Sequence, residues 1–334
     1  MGTLLIAEIG QAHDGSLGIL HSYIDALAQT GIDAIKFQTH IAEAESSQYE
    51  PFRINFSYED DTRFNYWQRM EFTLIQWKEI KKHCDDVNLE FISSPFSNMA
   101  VDWLEEIGVS RYKIGSGEVS NFLMLNKIAQ TKKDIILSSG MSSFDELDDT
   151  VSFLQEFGNK ICILQCTTKY PTKAEDIGLN VIQELKNRYH LPVGLSDHSS
   201  TIYASLAAVS LGAEILEFHA VFDKKMFGPD SQSSLTINEI KQLVEGVRFI
   251  EKSVANKIDK ADNSEFAKLK QIFEKSLAVN KDLKSGDTIN IDDLEAKKPS
   301  GYGISAKKFK DVIGKKLNKN LTKWNFLKEE DLCG

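Results

Sequence analysis

The chain has 334 residues, 42% of them hydrophobic, so it can bury a large core and exceeds the usual size of a single domain. Its 39 Lys and Arg against 49 Asp and Glu give a net charge of −10, which excludes a general nucleic-acid or anionic-membrane binder and leaves any anion to a local site. From Asn256 onward 17 Lys and no Arg face 13 Asp and Glu, a net of +4, leaving −14 for the rest, so the tail differs in kind from the body.

The first apolar run, Leu4-Leu5-Ile6-Ala7, is too short for a secretory signal, and no later run approaches the ~18 residues of a membrane span. Cys84, Cys162, Cys166 and Cys333 have no CxxC spacing and read as reduced structural thiols. A cytoplasmic, soluble protein is expected.

Short β-rich runs then alternate with amphipathic stretches. The strands are Leu4–Ile9, Ala34–Gln38, Glu90–Ser93, Tyr112–Ile114, Ile135–Ser138, Ile161–Gln165, Pro192–Ser196 and Ile215–His219. Eight βα units predict an α/β fold of the (β/α)8 TIM-barrel type over residues 1–255. The segment Ile41–Phe72 is far longer than an ordinary βα loop and carries seven aromatic residues from Tyr49 to Trp67, as expected of a pocket wall; the alternative is a packed loop away from the substrate. Residues 256–272 read as a polar linker and 273–334 as a second domain, in which 282–294 is echoed by 320–332.

Chemistry in such barrels is built at the carboxyl ends of the strands, and polar residues gather there on every strand. Glu8 lies on the first and Lys36 with Gln38 on the second, followed by Ser93 and Ser94, and then by Lys113, Ser116 and Glu118. Ser138, Thr168 with Tyr170, Ser196 with His198, and Glu217 with His219 complete the circuit. Lys113, Ser116, Ser138, Thr168 and Ser196 have the composition of a phosphate cradle, although each serine taken alone could be a helix cap. His198 and His219 could deliver two neutral imidazoles to one divalent metal, and a set of N and O donors without thiolate suits Mn²⁺, Mg²⁺ or Co²⁺. Glu8 could be a general base or an ion-pair partner of Lys36 or Lys113.

In chain order, Ala7-Glu8-Ile9-Gly10-Gln11-Ala12-His13-Asp14-Gly15, Lys36-Phe37-Gln38-Thr39, Ser93-Ser94-Pro95-Phe96, Lys113-Ile114-Gly115-Ser116-Gly117-Glu118, Ser138-Ser139-Gly140-Met141 and Gly194-Leu195-Ser196-Asp197-His198 resemble the sialic acid synthase family. Cys166-Thr167-Thr168-Lys169-Tyr170-Pro171-Thr172 and Gly228-Pro229-Asp230 fit the same pattern, and Lys297-Lys298-Pro299-Ser300-Gly301-Tyr302-Gly303 resembles its C-terminal antifreeze-like (SAF) domain. The resemblance implies condensation of phosphoenolpyruvate with an N-acyl-mannosamine-type aldose to a nine-carbon 2-keto acid, with phosphate leaving by C–O cleavage and Mn²⁺ or a related ion as cofactor. It implies His198 and His219 as metal ligands and Lys113, Ser116, Ser138, Thr168 and Ser196 as phosphoenolpyruvate contacts. Gln38, Tyr170, Asp230 and Lys298 would contact the sugar, and Glu8, Lys36 and Glu118 would be catalytic. The family's small domain covers the partner's barrel mouth in a swapped homodimer, which a basic tail over an acidic body would suit.

The chain departs from the family where an Arg usually precedes the SAF loop: no Arg follows Arg248, and Lys298 stands there without a planar donor fork. N-acetylmannosamine is the expected sugar, with pseudaminic and legionaminic precursors open. A Schiff-base aldolase using Lys113 and a non-catalytic sugar-binding protein are the rival functions.

Overall fold

The computed structural model describes residues 2–54 and 56–333, and the chain divides into two compact units, Met1–Asn256 and Lys257–Gly334. In the first unit eight parallel strands close a barrel, each beside its sequence neighbours and β1 beside β8. They are β1 Leu4–Glu8, β2 Ala34–Thr39, β3 Glu90–Pro95, β4 Arg111–Ile114, β5 Asp134–Ser138, β6 Ile161–Cys166, β7 Val193–Asp197 and β8 Ile215–Val221. No strand end departs from its sequence expectation by more than two residues.

The helices in chain order are α1 Leu17–Ala28, α2 Ala42–Glu45, α3 Arg63–Met70, α4 Leu74–Asp86, α5 Asn98–Ile107, α6 Phe122–Gln130, α7 Phe144–Glu156, α8 Leu179–Tyr189, α9 Tyr203–Ser210 and α10 Ile237–Ala255. Side-chain N-caps at Ser16, Thr73, Ser97, Asn121, Ser143 and Thr236 accept from the first turns and set where α1, α4, α5, α6, α7 and α10 begin. None of the serines or threonines assigned to the phosphate cradle serves as such a cap.

Strand side chains alternate between the two faces of the barrel wall. Outward residues such as Leu5, Ile35, Phe91, Ile135, Ile163 and Phe218 pack under the helices in the main core. Inward residues Ile6, Ala34, Ile92, Ile136, Leu164 and Ile215 fill the interior as a separate apolar cluster. Gly194 takes the corresponding place on β7, where a Cβ would run into the Ile215 backbone and the Leu164 side chain. The next inward position on each of these strands, two residues on, therefore tops an apolar plug and faces the barrel mouth.

The long segment after β2 is not an open loop. Helices α2 and α3 fold within it, and Tyr66, Trp67 and Met70 bury themselves against Ala42, with Phe52, Phe56 and Phe64 packed on the outside.

In the second unit α11 Ala267–Phe273 precedes an antiparallel pair, β9 Ser276–Val279 with β10 Leu294–Lys297, and α12 Phe309–Val312 follows. The stretch expected as a linker thus carries a helix, because Phe266, Leu269, Ile272 and Phe273 repeat at helical spacing behind the polar flank that masks them. Leu277, Val279, Leu283, Ile289, Val312, Leu317, Leu321, Leu327 and Leu332 are buried in its core. The internal echo is structural as well. Leu283 and Leu321 exchange backbone hydrogen bonds of 2.8 and 2.9 Å. Asn280 Nδ2 donates to the Asp292 carbonyl at 2.8 Å as Asn318 Nδ2 donates to that of Glu330 at 2.7 Å. Buried Asp293 and Asp331 accept from the backbone N–H of Asn290 and Lys328, both at 2.8 Å. No helix among the described residues is long and apolar enough to cross a membrane.

Candidate active site

A cavity of about 410 Å³ opens at the carboxyl ends of the strands. Glu8, Lys36, Ser94, Lys113, Ser138, Cys166, Ser196 and Glu217, one from each strand, form its floor. Six of them stand two residues beyond the apolar plug, and Ser196 stands two beyond Gly194, so the barrel that buries Ile6 and Ile215 must also present Glu8 and Glu217 to the mouth. A further step outward lie Gln38, Phe96, Gly115, Thr168, His198 and His219, and Tyr170, Asp230 and Glu118 also line the cavity. Thirteen of the fourteen residues expected at the site therefore share one pocket; Lys298 belongs to the second unit, where its ammonium lies 4.8 Å from the Phe273 ring centre.

The floor is a network of buried charge. Lys36 pairs with Glu8, and Gln38 Nε2 donates to the Glu8 carboxylate at 2.7 Å. Lys36 and Lys113 both face Glu217 Oε1, at 3.7 and 3.4 Å, while Ser196 Oγ donates to the same oxygen at 3.2 Å. Lys113 Nζ donates to Ser138 Oγ at 2.7 Å. Burial pulls the Lys36 ammonium down to about 7, Lys113 pushes in the same direction, and Glu217 opposes both. Burial would raise Glu217, yet Lys113 and Lys36 hold its carboxyl well below the usual carboxylate range. Glu8 is thus an ion-pair partner of Lys36 in this state, and Glu217 is the hub that the sequence offered only as a neighbour of His219.

Three buried oxygens in the pocket, Ser94 Oγ, Thr168 Oγ1 and Glu217 Oε2, have no hydrogen-bond partner among the described residues. Unpaired buried polar atoms are costly, so three around one cavity point to a polar ligand that completes them. Gly140 makes room for the cradle: a Cβ there would lie 2.5 Å from Ser116 Oγ, closer still to Thr168 Oγ1, and 3.1 Å from Cys166 Sγ. Ser116 Oγ accepts from the Gly140 N–H at 3.1 Å, tying the β4 and β5 ends together.

Register brings the imidazoles in, since Glu8 pairs with His219 across β1 and β8, and β7 ends beside β8. The His198 and His219 rings lie 5.3 Å apart, centre to centre. Burial pushes both down to about 3, helped at His198 by His219 and at His219 by Lys36, so both are neutral in ordinary buffers. His198 Nδ1 lies 3.1 Å from the Thr167 carbonyl, which fixes the proton on that nitrogen and leaves the Nε2 lone pair toward Tyr170 Oη, at 3.1 Å. That is the form in which histidine ligates a metal, with its second nitrogen bonded to a backbone carbonyl. Among the described residues no group of three or more His, Cys, Asp and Glu side chains is arranged to hold an ion, so a metal here would take two protein nitrogens and complete its shell from water and substrate.

The wall comes from the segment after β2, whose Glu45, Glu50, Arg53, Arg63 and Trp67 line the cavity. His40 stacks between Trp67 and Phe96, with ring centres 4.0 and 4.6 Å away. The run of aromatics signals a wall, but nothing in the sequence singles out Arg53 and Arg63 within it. Glu118 accepts from Asn121 Nδ2 at 2.8 Å, and burial raises its carboxyl above the ordinary range.

The sequence matches the NeuB family over residues 23–259 and the SAF domain over residues 274–332. It is 37% identical to N,N'-diacetyllegionaminic acid synthase of Campylobacter jejuni, across 98% of this chain and 99% of that protein. It is 31% identical to N-acetylneuraminate-9-phosphate synthase of Homo sapiens, across 94% of this chain and 88% of that protein. The crystal structure of an N-acetylneuraminic acid synthetase from Leptospira borgpetersenii in complex with citrate superposes with a TM-score of 0.71 at 30% identity, covering 80% of this chain and 90% of that one. With an eight-stranded parallel barrel, a mouth lined from every strand and an SAF domain following in sequence at residues 274–332, the chain belongs to the NeuB family.

Proposed function

We propose that the protein condenses phosphoenolpyruvate with an N-acyl-mannosamine-type aldose, N-acetylmannosamine first, to give a nine-carbon 2-keto sugar acid and inorganic phosphate. The observation that carries this function is the mouth itself, where a cradle of lysines and hydroxyls with unpaired oxygens adjoins a pair of neutral imidazoles. Lys113, Ser116, Ser138, Thr168 and Ser196 would hold phosphoenolpyruvate, and Gln38, Tyr170 and Asp230 the sugar.

The charge balance favours a metal. Glu8 and Glu217 offset Lys36 and Lys113, so the floor has no surplus positive charge for an anionic substrate. A divalent ion on His198 and His219, Mn²⁺ with Mg²⁺ or Co²⁺ as substitutes, would supply that charge and polarise the sugar aldehyde. In the reaction C3 of phosphoenolpyruvate forms a bond to C1 of the sugar, whose aldehyde oxygen takes a proton, leaving a cationic C2. Water adds to C2 and loses a proton, the C2–O bond to phosphate breaks, and the ketone forms. The chain's share is to align the two carbons over the floor and, through Glu8 or Glu118, both of which line the cavity, to take the proton from water.

Lys113 is engaged by Ser138 and Glu217, which argues for a charge partner rather than an imine-forming amine. The C. jejuni relative favours a legionaminic-type precursor as the second sugar to test. The net charge of +4 on the tail against −14 on the rest fits a homodimer, and a cytoplasmic location fits the two substrates. The test is incubation with phosphoenolpyruvate, Mn²⁺ and a panel of 2-acylamino-hexoses. Sugar-dependent phosphate release matched by keto acid is expected; phosphate release that no sugar stimulates would sink the proposal.

A further inference from the structure

We propose that Arg53, carried by the barrel's own segment after β2, reads the acylamino group of the sugar; this rests on the reaction proposed above. Arg53 Nη2 donates to Asp230 Oδ1 at 2.9 Å, and its guanidinium lies 4.3 Å from the centre of the Tyr170 ring. Tyr170 Oη in turn lies 3.1 Å from His198 Nε2. Arg53, Asp230 and Tyr170 all line the cavity, with the Arg53 side chain 42% exposed and Asp230 18%. A planar fork of donors thus stands beside a carboxylate acceptor, next to the imidazole pair and above the floor.

The chemistry of that corner selects a neutral group with both a donor and an acceptor. A second phosphate or carboxylate would meet the Asp230 carboxylate, and a bare hydroxyl would not fill both partners. An amide does: its C=O accepts from the guanidinium, its N–H donates to the carboxylate, and its plane can lie along the fork. Arg53 is held over the Tyr170 face, so part of the ordering is complete before the sugar arrives. The second unit cannot supply such a fork, since it has lysines and no arginine. Arg63 lines the cavity too, but its guanidinium is stacked 4.4 Å over Trp67 and faces Glu50.

The experiment measures kcat and KM of Arg53→Ala, Arg53→Lys and Arg53→Gln with the best acylamino-hexose of the panel and with its counterpart carrying a hydroxyl in place of the acylamino group. Arg53→Ala should raise the sugar KM by about 10- to 100-fold and lose most of the preference for the acylated sugar, while the phosphoenolpyruvate KM stays within about twofold. Arg53→Lys should not restore the preference, and Arg53→Gln, with a planar donor, should restore part of it. A loss spread equally over both substrates, or an unchanged preference in all three variants, overturns the inference with the reaction intact. If Arg53→Ala fails to fold, the Lys and Gln variants decide. A wild-type protein that condenses no sugar overturns the reaction and the inference together.

Discussion

Gly140→Ala is the sharpest probe of the phosphate cradle. The added Cβ would sit 2.5 Å from Ser116 Oγ and closer still to Thr168 Oγ1, where ordinary contact needs more than 3.4 Å. Both hydroxyls would have to withdraw by about an ångström, and the one methyl takes two donors from the anion. A hydrogen bond to a charged group contributes about 1.5 to 3 kcal/mol, so losing two costs about 3 to 6 kcal/mol and weakens phosphoenolpyruvate binding by roughly 10² to 10⁴. Gly140 is not among the glycines with positive φ, so alanine adds no backbone strain and the barrel should remain folded. Isothermal titration of phosphoenolpyruvate into folded Gly140→Ala protein measures the loss. Affinity within threefold of wild type would refute the placement of the phosphate.

Glu217→Gln removes the carboxylate that faces both Lys36 and Lys113, leaving Lys113 without an acidic partner among the described residues, and should destabilise the barrel by about 3 kcal/mol in urea unfolding; a change below about 0.5 kcal/mol would show that the charges are solvated. His198→Ala and His219→Ala should each abolish Mn²⁺ binding by calorimetry while keeping the wild-type circular dichroism; a variant that binds the ion normally would dissolve the shared site. His13 bears on acid stability. Its buried ring, whose Nδ1 accepts from the Gly15 N–H at 3.1 Å, is pushed down to about 3 by burial, then by His40 and Arg69. The unfolded chain takes up that proton near 6.5 and the folded chain does not, so the stability is full above pH 6.5 and is lost as pH falls toward 3. Between pH 6.5 and 4.5 the loss is about 2 kcal/mol, and His13→Asn, which keeps an acceptor, should remove that share of the fall in urea midpoint over that range; an unchanged pH slope would show that His13 does not contribute.

Much of the barrel is legible because one physical rule fixes both its core and its mouth. Once Ile6, Ala34, Ile92, Ile136, Leu164 and Ile215 are read as inward, the residues two further on, from Glu8 to Glu217, must face the mouth. What the linear pattern leaves open is which charges pair across strands. Glu8 reads equally as base or partner until register sets it beside Lys36, and Glu217 becomes the hub only when β2 and β4 bring their lysines to it. The wall is harder still, because Arg53 acquires meaning from Asp230, 177 positions away in sequence. The helix Ala267–Phe273 is hidden by the polar run before it, whereas the echo between 282–294 and 320–332 is plain in the apolar spacing and returns as paired Asn and Asp bonds.

The central claim is that the sugar aldehyde is joined to phosphoenolpyruvate at this mouth with rupture of the C2–O bond. Phosphoenolpyruvate labelled with ¹⁸O at the bridging oxygen, turned over with Mn²⁺ and the best acylamino-hexose, tests it directly. The label should leave in the inorganic phosphate, and the new keto oxygen should come from water. Label retained in the keto acid, with unlabelled phosphate released, would mean cleavage at phosphorus and would contradict it.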